Sequence, residues 1–229
     1  MDTTRVKSNV RSARPLISRK EREKNIRQRE IFLAARELFV LKGYHNTTLE
    51  EIAQQADFGK GTIYNYFKSK EELFLGIINE LAAEMVELAR SSIKTTPGGA
   101  RQKFRAYAAA NIAYLCENSD LYQVVMREIH RLDSVEHDNR FKAIKAGIKK
   151  VWAILAEPLS AEIKTGKIKK YDPIKLASLF DSMIRFYHFK RFRKKRRLRK
   201  SDIAEIVKMI VAVFFDGISG GRQNKRTGR

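Results

Sequence analysis

The chain has 229 residues, 43% of them hydrophobic, with 47 Lys and Arg against 26 Asp and Glu, a formal net charge of +21. That apolar share is ample for a packed core, and the cationic excess points to polyanionic partners, nucleic acid first and acidic membrane surface second. The one cysteine, Cys116, excludes an internal disulfide framework and fits a reducing, cytoplasmic compartment, while no apolar run approaches the roughly 20 residues of a membrane span.

Residues 1–17 are polar and basic (Arg5, Lys7, Arg11, Arg14) and read as a flexible arm that raises affinity for a polyanion; no apolar segment follows, unlike a secretory signal. Ser18 to Glu21 has the form of a capping box. Ile31, Ala34, Ala35, Leu38 and Phe39 then repeat at helical spacing, and Gly43 ends that helix. Thr48 with Glu51 forms a second capping box, opening a helix whose Leu49, Ile52, Ala53 and Ala56 share one face. Asp57-Phe58-Gly59 breaks it, Asp57 tolerating a left-handed backbone. Lys60 to Phe67 follows as a helix too short to stand alone, so Ile63 and Phe67 must anchor it.

That layout is a DNA-reading helix-turn-helix. Lys60, Thr62, Tyr64, Asn65 and Tyr66 are left to face outward: a cation, a hydroxyl, an amide and two phenols, with no carboxylate in the segment to repel phosphate. Gly61 removes a side chain at the helix start, where free N–H groups favour a phosphate oxygen. Lys60, Thr62 and Asn65 are assigned to base edges, and Thr48, Tyr64, Tyr66 and Lys70 to phosphates and register. Tyr44 is either a phosphate contact or a packed aromatic.

These residues resemble the TetR-type bacterial transcriptional regulators. The resemblance is carried by Ile31, Ala34-Ala35, Leu38-Phe39, Gly43-Tyr44, Thr47-Thr48, Ile52-Ala53, Lys60-Gly61-Thr62-Ile63-Tyr64, Tyr66-Phe67 and Ser69-Lys70-Glu71-Glu72-Leu73. It implies an all-helical homodimer that represses transcription until a small ligand binds its larger carboxy-terminal domain. Two positions depart from the family pattern: Asp57 stands where the turn usually has Gly, and Gly59 where a small hydroxyl residue usually caps the reading helix.

Ser69 with Glu72 caps a long helix carrying Leu73, Ile77, Leu81, Met85 and Leu88, expected to end before Pro97-Gly98-Gly99. The remainder keeps helical spacing: Phe104 to Leu115, Leu121 to Leu132, Phe141 to Leu155 with Pro158 as a kink or break and Gly166 as a stop, a helix after Asp172-Pro173, and a last helix from Ser201-Asp202. The expected architecture is all-α, about nine helices: an arm (1–17), a helix-turn-helix three-helix head (18–68), a ligand-binding and dimerisation domain entered by the long helix (69–217), and a basic tail (218–229). Dimerisation is expected through the last two helices.

Asn111 and Glu128 interrupt apolar stripes. A buried carboxylate must be paired, protonated or turned to a cavity, and Arg127 or Arg131 would be a partner for Glu128. With Tyr107, Tyr114, Met126, Trp152 and Tyr187 they are candidates for lining a small-molecule pocket; core packing is the competing reading. Lys190 to Lys200 holds nine cations among eleven residues, read as a solvated loop, a further polyanion contact, or a seat for a phosphate-bearing thioester. His130 and His137 with Asp133 and Asp138 match no metal-site spacing, and no nucleophile–base pair, Gly-rich phosphate loop or zinc signature occurs. The sequence therefore reads as a non-enzymatic, cofactor-free, cytoplasmic repressor of a palindromic double-stranded DNA operator, released by a small effector. A sequence-indifferent nucleic-acid binder and a helical ligand carrier are the alternatives.

Overall fold

The structure, a computed structural model, describes residues 18–132, 142–192 and 199–218. The arm, residues 219–229, Asp133, His137 and Asp138 lie outside the described residues, as do residues 193–198 of the basic run and the side chains of His130 and of residues 190–192. Nine helices account for nearly everything described: α1 (Arg19–Lys42), α2 (Leu49–Gln55), α3 (Lys60–Tyr66), α4 (Lys70–Thr95), α5 (Ala100–Glu117), α6 (Ser119–Leu132), α7 (Lys142–Lys164), α8 (Pro173–Phe192) and α9 (Lys200–Ile218). There is no strand among the described residues, and none of the helices is long and apolar enough to cross a membrane.

Local signals account for most helix ends. Ser18, Thr48 and Ser69 each accept a bond from the backbone N–H three residues on, satisfying donors a helix start leaves free. At α8, Oδ1 of Asp172 accepts from Ile174 N at 2.8 Å and Lys175 N at 3.2 Å. The start of α5 is different: Gly99 offers no side chain, and Glu162, from α7, caps it across the body, its Oε1 accepting from Ala100 N at 2.7 Å. Pro158 neither breaks nor ends α7, which continues to Lys164.

Two apolar clusters organise the molecule. The first joins Ile31, Phe39, Ile52, Ile63 and Phe67 of the head to Leu73, Phe74, Ile77 and Ile78 of α4, and also takes Leu121, Val124 and Val125 from α6. The second fills the body, where Phe104, Phe180, Phe214 and Phe215 stack edge to face. Two close approaches fix α4 between them. A Cβ on Gly76 would lie 2.8 Å from Cζ of Phe32, and one on Gly147 would lie 3.1 Å from Cβ of Ala82. Thus α1 and α7 both sit on α4.

Candidate nucleic-acid interface and a buried polar cluster

The short helix α3 is held as its spacing requires: Ile63 is fully buried and Phe67 nearly so, with the Phe67 ring 5.5 Å from that of Phe32. The preceding turn uses the left-handed region at Asp57, φ 57°, a conformation that Asp adopts more readily than most residues. Gly59, at φ −65° and ψ 150°, needs no glycine freedom and leaves α3 without a side-chain cap.

Lys60, Gly61, Tyr64 and Asn65 are exposed on this helix, while Thr62 is half-buried. Tyr66 is half-buried too and lines a cleft of about 480 Å³ with Gln28, Ser69 and Asn79, turning toward α4. Thr48 is exposed, but both halves of its capping box with Glu51 form, at 3.2 and 3.0 Å. Tyr44 packs its ring 4.7 Å from Phe74 and 5.5 Å from Phe39. Lys70 is engaged inward: its Nζ donates to the carbonyls of Tyr44, His45 and Thr47 at 2.7, 3.2 and 2.7 Å. Burial lowers its pKa, and those three bonds match the three protons of an ammonium.

Sequence reading missed a carboxylate here. Oε1 of Glu50, on α2, lies 2.8 Å from Nζ of Lys60 and accepts from the Tyr64 hydroxyl at 3.0 Å. The Lys60 bond is the main reason that the Glu50 carboxyl titrates at about 2; the same carboxylate raises the pKa of Lys60 and Tyr64. Although α3 itself lacks acid, its reading surface therefore carries one.

In the body the structure gathers some of the expected residues and separates others. Tyr107 donates to Oδ1 of Asp181 at 2.8 Å, Trp152 Nε1 donates to Oδ2 at 3.0 Å, and Arg185 Nη1 meets Oδ2 at 2.6 Å. Asn111 donates to the Tyr107 hydroxyl at 2.7 Å. Asp181 is 2% exposed, and its three donors offset the cost of burying that charge. Oδ1 of Asn111 is buried with no hydrogen-bond partner among the described residues. Asp181 and Arg185, which organise the cluster, fall on α8 in helical rows that looked like ordinary surface and core positions, so spacing alone did not single them out.

Tyr114, Glu128, Met126 and Tyr187 are placed elsewhere or less intimately. Tyr114 donates to Glu84 of α4. Oε2 of Glu128 lies 2.9 Å from Nε2 of His45 in the head, and the side chain of Arg131 lies outside the described residues. Met126 is half-buried, and Tyr187 packs on the body core. No group of three or more metal-ligating side chains occurs among the described residues.

A short reading helix set against α1 and α2, and carried by α4 into an all-helical body, is the arrangement of a helix-turn-helix DNA-binding head. The family model described as "Bacterial regulatory proteins, tetR family" matches residues 31–77. The HTH-type transcriptional activator FasR of Mycolicibacterium smegmatis is 32% identical over 99 residues, 43% of this chain and 45% of that protein, so the match spans less than half of that relative's length. The fatty acid metabolism regulator protein of Bacillus subtilis is 28% identical over 156 residues, 68% of this chain and 78% of that protein. Among solved structures, the regulator FadR of Bacillus subtilis in complex with stearoyl-CoA superposes with a TM-score of 0.70 at 23% identity, covering 83% of this chain and 98% of that one. Residues 31–77 thus match the DNA-binding head of the tetR-family regulators, and the chain is similar to regulators of that family beyond it.

Proposed function

We propose that the protein is a homodimeric repressor that binds a near-palindromic operator and leaves it when a long-chain acyl thioester enters the body. The observation that carries the reading is the exposed side of α3: Lys60, Tyr64 and Asn65 face outward while Ile63 and Phe67 hold the helix from beneath. Presenting the N-terminal residues of such a helix to the major groove is the docking mode of this motif. The head comprises residues 18–68 and the effector and dimer domain 69–217. Lys60, Thr62 and Asn65 meet bases; Thr48, Gly61, Tyr64 and Tyr66 meet backbone. Lys70 acts on DNA indirectly, by holding the loop that carries Thr48.

Leu179 and Phe186 on α8, with Met209 and Val213 on α9, are exposed by 50–68%. Apolar side chains grouped on two adjacent helices are the surface a second copy would cover. The effector class is supported by the Bacillus subtilis relative and its acyl-CoA-bound structure. Within this chain the cluster around Asp181 is the polar end of the proposed site, where Asn111 Oδ1 awaits a donor. Movement there reaches the head through α6, whose Leu121, Val124 and Val125 lie in the head cluster and whose Glu128 holds His45. By linkage the effector and DNA must weaken each other equally.

The test recovers the DNA bound in the source genome, then titrates the recovered duplex and an unrelated one with and without stearoyl-CoA. A shared two-fold-symmetric word, bound at least about 1,000-fold more tightly than random duplex at physiological salt and released by the thioester, supports the reading. Equal affinity for both duplexes would make the protein a sequence-indifferent binder, and tight thioester binding without effect on DNA would make it a carrier.

A further inference from the structure

Glu50 is out of place on electrostatic grounds. A carboxylate on a surface that approaches phosphates repels them, and an exposed ion pair such as Glu50–Lys60 adds little to folding stability. Its neighbours make its position definite nonetheless. Glu50 Oε1 receives both the Lys60 ammonium and the Tyr64 hydroxyl, and Lys60 Nζ sits 5.9 Å from the centre of the Tyr64 ring. The other carboxylate at the start of α2 is used differently: Glu51 closes its own helix cap and pairs with Lys42 at 2.7 Å. Glu50 instead reaches from α2 to Lys60 and Tyr64 of α3.

We propose that Glu50 and Lys60 together read one G·C base pair in each operator half-site, with Tyr64 fixing the carboxylate, so that Glu50 is a specificity-determining residue. The inference rests on the operator-binding function above. A G·C pair shows the major groove the O6 and N7 acceptors of guanine beside the N4 amino donor of cytosine. Lys60 and Glu50 present a donor beside an acceptor, 2.8 Å apart, in the complementary order. Lysine pairs with guanine acceptors and glutamate accepts from the cytosine amino group. An A·T pair places its amino donor between two acceptors, adenine N7 and thymine O4, so a carboxylate set there also lies close to an acceptor atom, and wrong sites are penalised as well as the right one rewarded. The Glu50 carboxyl is ionised at every physiological pH, since it titrates at about 2.

The experiment selects from a random duplex library with the full-length wild-type protein and with Glu50→Ala, Glu50→Gln and Lys60→Ala, and sequences the bound DNA. Wild type should yield a symmetric word with one fixed G·C pair per half-site that Glu50→Ala relaxes, with about tenfold lost discrimination there, while the other positions persist. Glu50→Gln should move the same position toward A·T, because an amide pairs with adenine, and Lys60→Ala should relax it as well. A word left unchanged by Glu50→Ala and Glu50→Gln overturns the proposal, as does a position occupied by A·T in wild type. Uniform weakening across all positions, with melting temperatures unchanged, overturns it too. If wild type selects no word at all, the operator-binding reading fails first.

Discussion

Oε2 of Glu128, on α6, lies 2.9 Å from Nε2 of His45, in the loop between α1 and α2, so that a residue of the body holds the base of the reading head. Glu128 is nearly buried while His45 is half-exposed. The carboxylate therefore depends on the imidazole more than the imidazole depends on it. His45→Ala removes this hydrogen bond from a nearly buried carboxylate and should cost about 1–2 kcal/mol of stability, measured by urea unfolding. Adding Glu128→Leu to that variant should recover part of the loss. Equal stability of wild type and His45→Ala would show that the contact does not couple body and head.

Lys70 offers a test of whether a cation near the DNA surface works on DNA or on the fold. Its three carbonyl partners lie on the loop that presents Thr48. Lys70→Met should lower stability by about 2–3 kcal/mol, since bonds to a charged group are lost, and weaken DNA binding through the disordered loop. The slope of log affinity against log salt should stay as in wild type. A phosphate contact would instead reduce that slope by about 0.9, and such a reduction would reassign Lys70 to the DNA backbone.

At the start of α5 the cap comes from another helix. A Cβ on Gly99 would lie 2.3 Å from Oε1 of Glu162, the atom that accepts from Ala100 N. Gly99→Ala must therefore displace the cap, although its backbone, at φ −83°, suits alanine. Both Gly99→Ala and Glu162→Ala should cost about 1 kcal/mol, the usual loss for a helix cap. The double variant should lose no more than either single one, because both remove one interaction. Additive losses in thermal melts would count against the shared cause.

Trp152 is the sole tryptophan, and its indole N–H donates to Asp181. Its fluorescence therefore reports directly on the buried polar cluster. Stearoyl-CoA should change the emission in a saturable way if the effector enters beside Asp181. Asn111→Leu removes the unpartnered acceptor and should weaken that binding several-fold, with the fold retained. An emission spectrum unmoved by saturating thioester that still releases DNA would put the effector site elsewhere in the body.

Much of the head was legible in the chain itself. Capping residues Ser18, Thr48 and Ser69, the i, i+3, i+4 rows of α1 and α2, and the anchors Ile63 and Phe67 all act over one or two helical turns, where spacing and hydrogen-bonding chemistry decide the outcome. The same local rules supplied α8 with its Asp172 cap. Of the two outcomes they left open at Pro158, a kink or a break, the break does not occur, because tertiary packing can carry a helix through the one hydrogen bond that proline removes.

Partners distant in sequence are a different matter. That Glu50 turns to Lys60 and Tyr64, that Lys70 bonds three carbonyls of the loop after α1, that Glu128 meets His45, and that Asp181 collects Tyr107, Trp152 and Arg185 all depend on how separate helices are brought together. Helical periodicity states which face a side chain occupies; it does not state which other face will lie against it. Amino-acid order thus determined the helices, the local caps of α1, α2, α4 and α8, and the reading motif. Only the packing of α1, α4, α6 and α8 decided which charges are spent inside the protein and which remain for DNA, since an electrostatic partner is chosen by distance in space.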